Sequence, residues 1–173
     1  MRHYKLLAIF FGIITTFSMG CEPDDICPES TPTTPNLIIR FYDISNQESK
    51  KNVFGLRVQG VGNDNPLTNY NVVNTDSIVL PLKTEGNSTA YALHKEYEYV
   101  DDVTPPKGNE DIITINYSTE QVYVSRACGY KTVFKNVTLT INNDSDNWIQ
   151  SKESLNDNQS VEDETAAHFK LYH

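Results

Sequence analysis

The 173-residue chain has little of what most catalytic or metal-binding sites are built from. It holds three cysteines and four histidines, and no CxxC, HxH or HExxH spacing brings them together, so a zinc site is not legible. No GxSxG marks a nucleophile turn, and no glycine-rich loop is present to cradle phosphate, because the eight glycines are dispersed. Cations are scarce as well: 14 Lys and Arg stand against 23 Asp and Glu, a net charge of -9, with no run longer than Lys50-Lys51. A basic stripe is the footprint of phosphate recognition, so nucleic acid is excluded as an expected partner. No cofactor is implied.

Long apolar runs are also lacking, with one exception. Leu6 to Phe17 (LLAIFFGIITTF) follows Arg2, His3 and Lys5 and precedes the small residues Ser18 and Gly20. A twelve-residue run is too short to span a bilayer, which takes about 20 apolar residues. Basic start, short apolar run and small-residue exit are the features of a signal peptide over residues 1–20. FSMGC resembles the lipobox of bacterial lipoproteins, with Ser18 in place of the common Leu. The resemblance implies that Cys21 carries the lipid and that the protein is held at the outer membrane. Removal of residues 1–20 takes away Arg2 and Lys5 and no acid, leaving a charge of about -11.

Two cysteines then remain, Cys27 and Cys128, in a compartment where disulfides persist, and their pairing is the expectation. Two free thiols and a two-cysteine metal site are the rival readings. Residues 21–35 carry four prolines, four acids and the STPTT cluster, a composition that favours extended backbone and buries no core. They read as a tether, and residues 36–173 as a single β domain.

In that domain apolar residues alternate with polar ones. Leu37, Ile39 and Phe41 share one face, as do Phe54, Leu56 and Val58, and again Ile78, Leu80 and Leu82. Further strands are expected at Ser88 to His94, Asp111 to Tyr117, Gln121 to Ala127, Thr132 to Ile141 and near the C-terminus, with Ser118-Thr119-Glu120 as a hairpin turn. No window carries a helical repeat. Seven to eight short strands predict an all-β, antiparallel, immunoglobulin-like sandwich, with a calycin-like barrel as the alternative. Ser45 to Asn52, Gly60 to Thr75 and Tyr99 to Glu110 read as long loops, the default place for recognition.

Taken together, CEPDDICPESTPTTPNLIIRFYD, DSIVLPL and YVSRACGYKTVFKNVTL resemble an uncharacterised family of Bacteroidetes lipoproteins defined only as a domain of unknown function. That resemblance implies an envelope lipoprotein, mostly β, with no assigned activity. It lends support to the Cys27–Cys128 pair, since both residues fall inside the resembling stretches.

Four constellations carry some chemistry. Tyr123, Arg126, Tyr130, Lys131 and Lys135 flank Cys128, and aromatic plus cation is what a sugar or carboxylate ligand would use. Asp101, Asp102, Glu110 and Asp111 could offer oxygens to Ca²⁺, without EF-hand order; a solvated acidic loop is the simpler expectation. His94, His168 and His173 read as core or solvent-facing. Asp76-Ser77-Ile78 resembles the short acceptor motif for O-glycosylation in Bacteroidetes, with Ser77 as acceptor. The functional expectation is a non-catalytic, lipid-anchored binding or structural module with an envelope protein or glycan as partner. A small hydrolase with a loop-built site and a strand-pairing assembly accessory are the alternatives.

Overall fold

The computed structural model describes residues 26–98 and 107–173, so the expectations at residues 1–20, Cys21, Asp101 and Asp102 lie outside the described residues. Ten strands and no helix are found among them. The chain divides into two compact units, Pro32–Val122 with Lys131–His173, and Met1–Thr31 with Tyr123–Tyr130.

The larger unit is a β-sandwich. In one sheet β1 (Leu37–Asp43) is central. One of its edges pairs in parallel with β10 (Phe169–Tyr172), which pairs in turn with β9 (Ser151–Ser154). Its other edge is shared by β5 (Ser77–Leu80) and β2 (Asn46–Lys50). The second sheet has the order β4 (Pro66–Thr75), β3 (Val53–Gly60), β6 (Ser88–Glu98), β7 (Lys107–Ser125), β8 (Gly129–Ile141). Neither sheet closes on itself, so the barrel alternative does not hold.

The core is the meeting of the two alternating faces. Leu37, Ile39 and Phe41 of β1 and Ile78 and Leu80 of β5 pack with Leu56 and Val58 of β3, Leu93 of β6, Ile113 and Ile115 of β7 and Leu139 of β8. Every one of these side chains is almost fully buried. Removing a Leu or Ile side chain from water contributes roughly 1.5–3 kcal/mol, which makes this set the principal source of stability.

Four departures from the sequence reading have local causes. Phe54 is 58% exposed while Val53 is buried, because Gly55 takes φ +59° and the register with β4 shifts between Val53 and Leu56. An irregularity of this kind inverts the face of the residues before it. A side chain at Gly55 would stand 3.1 Å from the Glu96 Cα, so the close backbone approach also demands glycine. Second, Ser118-Thr119-Glu120 does not turn: β7 runs through it. Ser118 Oγ donates to Lys135 O (3.3 Å) and Gln121 Nε2 to Thr132 Oγ1 (2.9 Å), ties to β8 that a merely polar tripeptide without Gly or Pro does not oppose.

Third, β2 and β4 occupy stretches read as loops. β2 is exposed throughout, and in β4 Leu67, Tyr70 and Val73 are only half-buried against the core without strict alternation, so neither NQESK nor PLTNYNVVNT announces a strand. Finally, the sandwich has ten strands rather than seven to eight, and the β1–β10 pair is parallel, whereas an antiparallel arrangement was expected.

In the smaller unit the described residues are Ile26–Thr31 and Tyr123–Tyr130. None of their side chains is buried. Cys27 and Cys128 form a disulfide, with Cα atoms 4.9 Å apart across a sequence separation of 101. The chain turns at Arg126–Cys128, where the Ser125 hydroxyl accepts from Cys128 N–H at 3.1 Å and Gly129 takes φ +70°. A left-handed residue closing a three-residue loop is a common hairpin device, and glycine suits it best.

Candidate functional site

A cleft of about 820 Å³ opens in the larger unit. Its walls are the β3–β4 turn, with Asn63 and Asn65, and the stretch from Pro81 through Tyr91, with Lys83 and Ser88. The floor is held by a closed ring of hydrogen bonds. Lys83 N–H donates to Thr89 Oγ1 (3.0 Å), the Tyr117 hydroxyl donates to Lys83 O (2.9 Å), and the Thr89 hydroxyl completes the ring on Tyr117 Oη at 2.6 Å. Since the Tyr117 proton is committed to Lys83 O, Thr89 is the donor in that last bond.

Tyr91 donates its hydroxyl to Pro81 O in a short hydrogen bond. Burial, followed by the field of Tyr117, pushes the Tyr91 phenol up to about 12, so it stays protonated. The rim therefore offers neutral amides, a hydroxyl and one cation over a rigid floor with apolar walls at Leu67 and Leu82. This chemistry suits a polar ligand held by hydrogen bonds rather than by charge.

A second constellation follows from strand register alone. Arg57 on β3 stands opposite His94 on β6, and His94 opposite Glu110 on β7. Arg57 donates to Tyr97 Oη (3.0 Å) and to Asp64 O (3.1 Å), with its guanidinium 4.7 Å from the Tyr97 ring centre. His94 packs edge-on to Tyr97 at 5.5 Å. Its Nε2 lies 3.3 Å from Glu110 Oε2 but is left without a hydrogen-bond partner in good geometry. Burial pushes the imidazole below its ordinary range, Glu110 opposing and Arg57 reinforcing the shift. Sequence reading missed this row, because partners 37 and 16 residues apart become neighbours only once register is known.

The residues singled out in the sequence are distributed as follows. Tyr123, Arg126 and Tyr130 belong to the smaller unit, where the tyrosine rings meet at 5.4 Å. Arg126 is exposed in the turn and has an interaction partner in the protein. Lys131 and Lys135 belong to the larger unit and both turn to Glu162: Lys131 Nζ donates to its backbone O (3.2 Å) and Lys135 Nζ to its carboxylate (2.5 Å). Two of the five cations and rings are thus engaged with Glu162.

Glu110 and Asp111 point to opposite faces, which removes them as a common Ca²⁺ ligand set. The fully buried Asp111 carboxylate accepts from Trp148 N–H (3.3 Å) and Ile149 N–H (2.7 Å), while its burial raises its pKa. Among the described residues no group of three or more His, Cys, Asp or Glu is placed to hold a metal ion. Ser77 is half-buried and its hydroxyl donates to Ile39 O (3.3 Å).

The three later histidines are all buried. His168 Nδ1 accepts from Ile38 N–H (3.0 Å), which requires that nitrogen to be unprotonated, and it lines a smaller cleft of about 290 Å³ with Ser160 and Asp163. Burial holds His168 and His173 below the ordinary histidine range.

Residues 55–173 match a family of unknown function, DUF6452. The matched stretch contains Cys128 and the whole cleft and leaves out the CEPDD-to-FYD segment. Neither the curated proteins nor the solved structures hold a match to this chain.

Proposed function

We propose that this chain, which belongs to the DUF6452 family of unknown function, is an outer-membrane protein anchored through lipid on Cys21 that uses its sandwich as a non-catalytic binding module. The observation that carries the binding role is the cleft of about 820 Å³ with its fixed floor and a rim of amides and a hydroxyl that bears one charge, Lys83. Asn63, Asn65 and Ser88 supply both donors and acceptors, and Lys83 adds one cation, a set that fits the hydroxyls of an oligosaccharide. The buried polar groups beneath are already committed to backbone partners, as Tyr91 is to Pro81 and Tyr117 to Lys83. They position the rim. Export is supported by the Cys27–Cys128 disulfide, a bond that persists in oxidising compartments.

Two experiments test the two halves. Cell fractionation of the unaltered chain should find it in membranes, with Cys21→Ala released; retention of that variant refutes the anchor. Titration with neutral oligosaccharides should give saturable binding, weakened at least tenfold by Asn65→Ala together with Lys83→Ala. Undiminished affinity in the double variant refutes the cleft as the site, and no binding refutes the glycan class.

A further inference from the structure

The smaller unit presents apolar surface that its own packing does not use. Ile26 is 78% exposed, Tyr123 59% and Tyr130 66%, in a unit whose fourteen described residues include no buried side chain. The two tyrosine rings meet edge to face, at 5.4 Å and 68°, so they are presented side by side. Glu29 and Arg126 are the only charges among those fourteen residues, which makes this surface neutral in a chain of net charge -9.

The disulfide gives that surface a place. Cys27 lies six residues after Cys21 and is bonded to Cys128 in the Tyr123–Tyr130 hairpin. A chain spans at most about 3.3–3.6 Å per residue, so Cys27 lies within about 22 Å of Cys21 and Cys128, with its Cα 4.9 Å from that of Cys27, within about 27 Å, however the connecting stretch is arranged. Residues 21–35 would otherwise allow about 46–50 Å. The bond therefore converts a long tether into a short one.

We propose that the Ile26, Tyr123 and Tyr130 surface docks on the headgroup zone of the bilayer that holds Cys21. The inference rests on the lipid anchor proposed above. Tyrosine is enriched at that depth of a membrane, where its ring is shielded from water and its hydroxyl stays hydrated. The acids Glu22, Asp24 and Asp25 on the connecting stretch disfavour an anionic surface, so the headgroups are zwitterionic and the docking is insensitive to salt.

The test uses the full chain, extracted with its anchor and reconstituted into phosphatidylcholine vesicles with brominated acyl chains. Tyr130→Trp places an indole reporter on the surface; the native Trp148 is buried, and the unaltered chain supplies its background. Brominated lipid should quench the added indole at least twofold relative to plain lipid, equally at low and high salt. Adding Tyr123→Ser and Ile26→Ser should abolish the quenching without releasing the protein from vesicles. Retention with no quenching of Tyr130→Trp, or quenching by aqueous iodide instead, overturns the docking and leaves the anchor standing. Failure of the unaltered chain to associate with vesicles overturns both, and the Cys21→Ala fractionation then assigns the fault to the anchor.

Discussion

The larger unit and the smaller one are held by different physics. In the first, Phe41, Leu56, Leu93, Ile113 and their neighbours bury one continuous apolar cluster between two sheets. In the second, the described residues bury nothing, and a covalent bond between Cys27 and Cys128 joins segments that hydrophobic packing does not. Burial is cooperative and tolerates small local losses. A disulfide is a single point of failure, and it acts chiefly by restricting the unfolded chain. The comparison explains how exposed Ile26, Tyr123 and Tyr130 can be kept on a chain that folds: their region draws no stability from hiding them.

The sharpest way to break the comparison is to remove core volume. Phe41→Ala deletes a fully buried ring that lies 6.0 Å from Trp148 and 6.1 Å from His173, and should cost about 3–5 kcal/mol by urea unfolding. Loss below about 1 kcal/mol would mean that the cluster is looser than its burial implies. Next in size, Cys27→Ser with Cys128→Ser opens a loop with a sequence separation of 101 and should cost about 2–4 kcal/mol. Amides of residues 123–130 should then exchange fast while those of β3 and β6 stay protected. Equal protection in both units would contradict the division.

Gly55→Ala is a smaller and more local probe. At φ +59°, with the new Cβ 3.1 Å from the Glu96 backbone, it should cost about 1–2 kcal/mol, read as a fall in melting temperature. The smallest effect is a slope. His168 is buried neutral, its pKa below the unfolded value of about 6.5, so the unfolded chain binds more protons in mild acid. Stability contributed by His168 is fully present above about pH 6.5 and is lost as pH falls toward the depressed native pKa. His94 and His173 shift in the same direction, whereas the raised pKa of Asp111 acts with the opposite sign at lower pH. His168→Asn keeps an acceptor for Ile38 N–H and removes the titration, so thermal melts between pH 7 and pH 5 should show a shallower decline.

Much of the sandwich was legible because burial writes itself into alternation, as at Leu37, Ile39 and Phe41. Edge strands escape that signal. β4 leaves half of its residues exposed and half-buries only Leu67, Tyr70 and Val73 against the core, so its Asn and Thr residues read as turn formers although their backbone pairs with β3. Phe54 misled for a different reason: one left-handed glycine inverts the alternation, and a glycine inside a strand does not announce which φ it takes. The disulfide followed from counting cysteines once export was expected from residues 1–20. The cleft could not be read, because Asn63, Lys83, Ser88 and Tyr91 meet only through the pairing of β3 with β6, and the Arg57–His94–Glu110 row depends on register in the same way.

One measurement bears most directly on the proposal that a disulfide, rather than the whole tether, ties the folded chain to a membrane through Cys21. A protease site is inserted between Pro32 and Thr33, both exposed, and membranes carrying the full chain are cut with and without reductant. The Cys27–Cys128 bond predicts that cutting alone leaves residues 33–173 on the membrane and that cutting with reductant releases them. Release by cutting alone would contradict the disulfide link, and retention under both conditions, with Tyr123 and Tyr130 changed to Ser to remove their surface, would contradict the disulfide as the tie to the membrane.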